Sequence, residues 1–253
     1  MKEQLYTIPL NDAFKANDEC PFCYIERNLE QHAINFVLGS GASYMESDIR
    51  SETDNNGFCR THFKKMYEYG NRLGCGLILS THIKKKNDEL AKQLASYKPT
   101  KISPLQRFKK TTSEQNNVCQ WIQEQESQCY ICNYYAHTYE RYLDTFFELY
   151  KKDPEFVKLL KNSKGFCIHH FGDLLKKAEQ KLSEKDLSIL WDIISPLMLE
   201  NMQRVQADVE WFCDKFDYRN KDADWKNSKD AVQRTMQKIG SGYPADPPFT
   251  QDA

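Results

Sequence analysis

No run of apolar residues in this chain is long enough to cross a bilayer. About eighteen uninterrupted ones are needed, and the best stretch, Leu187–Leu199, is broken by Asp192, Ser195 and Pro196. The opening Met1–Thr7 lacks the apolar centre of a signal peptide, so the expected address is the cytoplasm, with no membrane partner. Phosphate-binding glycine loops of the Gly-x-Gly-x-x-Gly and Gly-x4-Gly-Lys-Ser/Thr types are missing, as are the Gly-x-Ser-x-Gly elbow and the His-Glu-x-x-His pair. Glu19, Cys20, Pro21 and Cys23 hold residue types of the zinc deaminases in the wrong order. These absences leave the catalytic residues unassigned and remove the commonest motif-based enzyme classes. Alternation of apolar and polar residues with hairpin turns is absent too, which excludes a sheet protein.

What remains is an ordinary globular composition, 253 residues with 28% charged and 40% apolar. The net charge of −1 hides an asymmetry. From Arg60 to Glu114 there are 13 Lys/Arg against 4 Asp/Glu, and the remainder carries 22 against 32. Such a basic segment fits a nucleic-acid partner, but a solvated, lysine-rich helix explains it as well and is preferred. Nine cysteines without an export signal, some at fixed offsets from histidines, read as metal ligands rather than disulfides.

That offset pattern organises the chain. Cys20-x2-Cys23 is followed by Gly57, Phe58, Cys59, His62 and Phe63 in the order G-F-C-x2-H-F. The same pattern returns as Cys129-x2-Cys132 followed by Gly165, Phe166, Cys167, His170 and Phe171. Between Cys23 and Cys59 lie 35 residues, and between Cys132 and Cys167 there are 34. Matched spacing in two copies argues against chance. Tetrahedral Zn²⁺ takes four N/S ligands, and a Cys-x2-Cys pair offers two. Cysteine and histidine three apart share one helix face, and a thiolate at a helix N-terminus is favoured by the free N–H groups there. The expected ligand sets are local: Cys20, Cys23, Cys59 and His62 for one zinc ion, and Cys129, Cys132, Cys167 and His170 for a second. Pairing across the halves stays open, although longer loops cost more to close. His170 rather than His169 is the ligand by its match to His62. An iron–sulfur cluster is the alternative cofactor. A redox role for the Cys20/Cys23 pair has no βαβ context behind it. Cys75, Cys119 and Cys213 are read as plain thiols.

Helical periodicity runs through most of the chain. An extended arm is expected over 1–17. A helix follows over Glu19–Val37 with Glu26, Arg27 and Glu30 on its wet side, and then a turn-rich stretch over 42–56. Next come a long helix from Cys59 to Ser96, bent near Gly70 and Gly74–Gly76, and closing prolines at Pro99 and Pro104. In the second half, a lead-in helix over 112–128 precedes an aromatic helix over 130–151, and a short one starts at Asp153. The Cys167 helix and a long helix from Leu187, interrupted or kinked near Pro196 and continuing towards Phe216, complete it. The fold is expected to be all-α, with duplicated helix–loop–helix units each closed by a Cys3His site and additional C-terminal helices. The expected division is a first repeat over 1–111, a second with the extra helices over 112–239, and a mobile tail over 240–253.

The C-terminal stretch is dense in charge and aromatics, with Asp217, Arg219, Asp224, Lys229, Asp230 and Arg234 as candidates for a polar pocket. The preferred account is structural, with ion pairs and Trp225 docking the last helix. The duplicated motif and the segment Phe216–Asn220 resemble a family of uncharacterised bacterial proteins of similar length, over roughly Cys20 to Arg234. That resemblance implies an intracellular bacterial origin; the family has no established activity to carry over. The leading expectation is a binding or adaptor module with two structural zinc sites and an unidentified protein or small-molecule partner. An enzyme with a site near Asp217–Arg234, a nucleic-acid binder through 60–110, and a redox or metal sensor are the alternatives.

Overall fold

In the computed structural model, residues 5–98 and 116–250 are described, and among them every regular element is a helix. The all-α reading is met. In chain order the helices are α1 (Thr7–Lys15), α2 (Pro21–Leu38), α3 (Ser47–Asn56), α4 (Arg60–Glu68), α5 (Arg72–Ser96), α6 (Asn117–Glu126), α7 (Tyr130–Lys152), α8 (Pro154–Asn162), α9 (Ile168–Lys181), α10 (Glu184–Asp214) and α11 (Ala231–Gly240). Helix starts follow local chemistry. Asp153 accepts the Glu155 N–H at 3.0 Å with Pro154 in the first turn, and Ser183 accepts the Asp186 N–H at 3.2 Å.

The chain divides into two compact units, one of Met1–Leu29 with Ala136–Pro247 and one of Glu30–Tyr135 with Pro248–Ala253. Each therefore draws on both copies of the motif. The first unit has an aromatic core. Phe14 meets Phe156 edge-on at 5.0 Å between ring centroids, Phe22 stacks on Phe166 at 5.6 Å, and Phe146 meets Phe156 at 5.4 Å. Edge-to-face and offset contacts of this kind add to the burial of each ring. Leu160, Leu174, Ala178, Leu190 and Ile194 fill the rest. The second unit buries Ala33, Ile34, Val37 and Leu38 of α2 against Phe58, Met66, Tyr69, Ile78 and Ile131.

Several expectations are corrected. Residues 7–15 form α1 rather than an extended arm, because Leu10, Ala13 and Phe14 make a short helical stripe that is fully used in the first unit's core. The polar stretch over 42–56 holds α3, in which only Thr53 is buried. It has no apolar stripe to read. Instead it is held by polar contacts, with Asp54 accepting from Thr81 Oγ1 at 2.8 Å and Arg50 donating to the Tyr44 carbonyl at 2.7 Å. At Gly70 the long helix is broken rather than bent: its φ of +94° lies outside any helix, and α5 starts anew after Asn71 caps it. Conversely Pro196 does not interrupt α10, which runs 31 residues through the missing N–H. The described part of the tail makes two contacts of note. In the first unit Asp246 pairs with Arg27 at 2.9 Å, and in the second Phe249 is buried. Pro99, Pro104, the 111/112 boundary and the basic residues after Lys98 lie outside the described residues.

Candidate metal centres

The structure brings all eight predicted ligands into two clusters, and pairs them across the copies. Cys20 and Cys23 stand with Cys167 and His170 in the first unit. Cys59 and His62 stand with Cys129 and Cys132 in the second. In each cluster the four ligand atoms lie within 4.8 Å of one another. The local pairing expected from loop length is thus replaced by an exchange, each Cys-x2-Cys meeting the Cys-x2-His of the other copy.

Backbone geometry sets both clusters up in the same way. Gly57 and Gly165 adopt φ of +59° and +72°, a region where a Cβ is strained, and so turn the chain into the following helix. Phe58 and Phe166 are buried beneath those turns. Cys59 and Cys167 then sit at the N-caps of α4 and α9, and the His170 N–H donates to Cys167 Sγ at 3.4 Å. In the first unit the Gly242 N–H also donates to Cys23 Sγ at 3.4 Å. Helix N-termini and N–H groups aimed at sulfur stabilise thiolates.

Each histidine turns Nδ1 toward the sulfurs. His170 Nδ1 lies 3.1 Å from Cys167, 3.4 Å from Cys20 and 3.5 Å from Cys23. His62 Nδ1 lies 3.1 Å from Cys59, 3.1 Å from Cys129 and 3.4 Å from Cys132. The opposite ring nitrogen faces a carboxylate: Glu30 Oε1 is hydrogen-bonded to His62 Nε2 at 2.8 Å, whereas Glu26 Oε2, 3.0 Å from His170 Nε2, lies off the direction of a hydrogen bond and leaves that buried nitrogen without one. Glu30 is itself paired with Lys65. A carboxylate behind a histidine fixes the tautomer that offers its other nitrogen to a metal. Tyrosines of α7 flank the rings, Tyr139 at 5.6 Å from His170 and Tyr135 at 6.3 Å from His62. Glu26 and Glu30, expected on a wet helix face, were missed as partners of the clusters. Lys238 was missed as well. Buried in the first unit, its ammonium donates to the carbonyls of Glu19 at 2.7 Å, Lys164 at 2.5 Å and Phe166 at 3.3 Å, tying together the residues that precede Cys20 and Cys167.

The electrostatics show what the clusters lack. Hydrogen bonding to Cys132 holds the Cys129 thiol down near 3 against burial, with help from His62. Bonding to that same Cys129 thiolate, then burial, pushes Cys132 far up. Burial pulls His62 down, but its bonds to Cys129 and Glu30 prevail and push it up to about 10. In the first unit Cys167 is held far down by its bonds to Cys20 and Cys23, while burial, then Cys167 and Cys23, push Cys20 well up. His170, pulled down by burial, is pushed up to about 12 by Cys167, Cys23 and Glu26. Without a cation, each cluster therefore holds a thiolate–imidazolium pair beside a thiol that cannot ionise. A divalent ion supplies the missing positive charge, so both clusters are suited to hold a metal.

The two are not equally enclosed. All four residues around Cys20 are buried, whereas Cys59 and Cys132 are half-buried. Cys59 borders a groove of about 810 Å³ with Phe63, His82 and Trp121 on its walls. His169 is exposed and faces Asp173 at 3.6 Å, outside the ligand set. Cys119 and Cys213 are exposed and Cys75 is half-buried. Of the C-terminal candidates, Asp217 and Arg219 pair with each other at 2.7 Å, and Asp224 accepts the Lys226 N–H at 3.0 Å. Lys229, Asp230 and Arg234 do converge on one cavity. Of the described lysines of the basic segment, Lys65 pairs with Glu30 and Lys86 with Glu89, Lys64 and Lys85 stand 3.6 and 3.8 Å from Glu68 and Glu89, and Lys84, Lys92 and Lys98 have no ion pair among the described residues.

Residues 1–246 match a family of unknown function (DUF6062), and the chain belongs to that family. No curated protein and no solved structure matches it. No helix among the described residues is long and apolar enough to cross a membrane.

The exchanged pairing is checked by ¹¹³Cd NMR of cadmium-loaded protein, in which two resonances are expected. Cys23→Ala should perturb the resonance that His170→Ala perturbs and leave the one that responds to His62→Ala; the reverse assignment would restore local pairing. Proton linkage gives a second expectation. Metal must displace at least the His62 and Cys132 protons in one cluster and the His170 and Cys20 protons in the other, so affinity falls as pH falls. Two protons per ion correspond to about a hundredfold gain in apparent affinity per pH unit near neutrality. Competition with a chromophoric chelator at two pH values measures that slope, and a flat profile would contradict it.

Proposed function

We propose that this chain is a cytoplasmic zinc-binding helical scaffold, a binding or adaptor module in which two Cys3His sites are structural. The observation that carries the reading is the spacing inside the clusters. A tetrahedral ion with bonds of about 2.3 Å needs its ligand atoms about 3.7 Å apart. Cys23 and Cys167 sulfurs are 3.8 Å apart, and the nitrogen–sulfur separations of 3.1–3.5 Å are close to that value. A multi-iron cluster would insert several irons and sulfides between the cysteines and spread them further. Four protein ligands per ion leave no open position, which is the pattern of structural rather than catalytic zinc. The carboxylate hydrogen-bonded behind His62 supports the same reading, because it holds the ligand nitrogen ready before the metal arrives, and Glu26 stands beside His170 in the corresponding place.

Binding free energy at such a site is folding free energy. The Cys20 ion would clamp α2 to α9 within the first unit. Its counterpart would clamp the start of α7 to α4 within the second. What the scaffold presents to a partner is then the rest of its surface.

Elemental analysis of untagged protein purified without oxygen tests the reading. About two zinc per chain and a colourless solution are expected; iron with a broad visible band would contradict it. Glu26→Gln and Glu30→Gln should each weaken zinc at one site by about 10–100-fold while leaving the other unchanged. Loss of neither would show that the carboxylates are bystanders.

A further inference from the structure

The two clusters differ in how well their sulfurs are sheltered. In the first unit Cys20, Cys23 and Cys167 are all buried. Two of those sulfurs also accept backbone N–H groups, Cys167 from His170 and Cys23 from Gly242, each at 3.4 Å. A donor bonded to a thiolate draws on its charge and blunts it as a nucleophile.

In the second unit Cys59 and Cys132 are only half-buried. Cys59 stands at the cap of α4 as Cys167 stands at that of α9, yet its sulfur accepts no hydrogen bond from its helix. It also borders the groove of about 810 Å³, so a small solute can reach this sulfur from solvent. Arg60 and Thr61, both exposed, line the groove beside it and offer N–H and O–H donors to a leaving oxygen. Cys132 is at hand as well, because the four ligand atoms lie within 4.8 Å of one another. Bonded sulfurs in a disulfide are about 2 Å apart, so a shift of about 3 Å or less would join the two. An accessible thiolate beside a second sulfur that can resolve it is the arrangement of oxidant-sensitive cysteines.

We propose that Cys59 and Cys132 form a peroxide-sensitive pair, whose oxidation to a disulfide releases the metal of the second unit while that of the first stays bound. The Cys59 thiolate attacks one oxygen of a hydroperoxide: an S–O bond forms, the O–O bond breaks, and the departing oxygen takes a proton. Cys132 thiolate then attacks the Cys59 sulfur. The S–S bond forms, the S–O bond breaks, and hydroxide leaves to take a second proton as water. Two thiolates lose two electrons and the peroxide gains them. Only Cys129 and His62 then remain as ligands, too few to hold zinc tightly. This inference rests on the zinc reading of that site and adds its regulation.

Hydrogen peroxide titration of the full-length, zinc-loaded protein tests it, in a Cys119→Ser/Cys213→Ser background that removes the exposed thiols outside the clusters. A chromophoric chelator too weak to strip the untreated protein reads the released ion. One zinc per chain should come out at least about tenfold faster than the other. Mass spectrometry of a tryptic digest should find Ser51–Arg60, which carries Cys59, joined to Cys132. A thiol reductant with added zinc should reverse both changes. Release of both ions at one rate, release of neither, or a disulfide that excludes Cys59 would overturn the inference and leave two zinc-loaded sites standing. Protein that takes up no zinc would overturn the scaffold reading, and this inference with it.

Discussion

Three thiols and an imidazole held within a few ångströms cannot all take their ligating forms without a cation among them. Much of the rest of the structure follows from that constraint. Left-handed glycines turn the chain so that Cys59 and Cys167 meet helix N-termini. Glu30 holds the His62 imidazole from behind, Glu26 faces that of His170, and Lys238 ties the backbone ahead of Cys20 and Cys167. Each device lowers the cost of gathering like-charged sulfurs, and none removes it. A divalent ion does so directly, so both clusters are suited to hold one.

Most of this chemistry was legible in the sequence, because ligand type and spacing are local. Cys-x2-Cys and Gly-Phe-Cys-x2-His each need only one turn of chain to make their point. The pairing was not legible. Loop closure favours the local sets, but its cost grows only by about 0.6 kcal/mol per doubling of loop length. Joining Cys20 to His170, 150 residues away, in place of His62 costs about two such steps or fewer. Packing of the aromatic core outweighs that easily: Phe14, Phe22, Phe146, Phe156 and Phe166 bring the start of α2 to α9 in the first unit.

Glu26 and Glu30 show a second limit. On a helical wheel they read as solvent-facing charge, and only the positions of two distant histidines reveal them as half-buried neighbours of the clusters. Their separation of four residues, one face of α2, was the available signal. Lys238 had none, since a lone lysine in a mixed helix is ordinarily exposed. α1 and α3 were missed for opposite reasons, α1 because its stripe is short and α3 because it has almost no stripe at all. Breaks were misjudged in both directions. Gly70 stops a helix that periodicity alone would continue, while Pro196 fails to stop α10.

The cluster around Cys20 is closed, and the one around Cys59 is more accessible, with a groove that reaches Cys59.

X-ray absorption of the protein as purified tests the central claim most directly, because it reports the metal and its first shell together. The account predicts a zinc edge with three sulfurs at about 2.3 Å and one nitrogen at about 2.0–2.1 Å per ion, and no metal–metal scattering. An iron edge with short iron–iron scattering, or a shell made of oxygen and nitrogen alone, would contradict it.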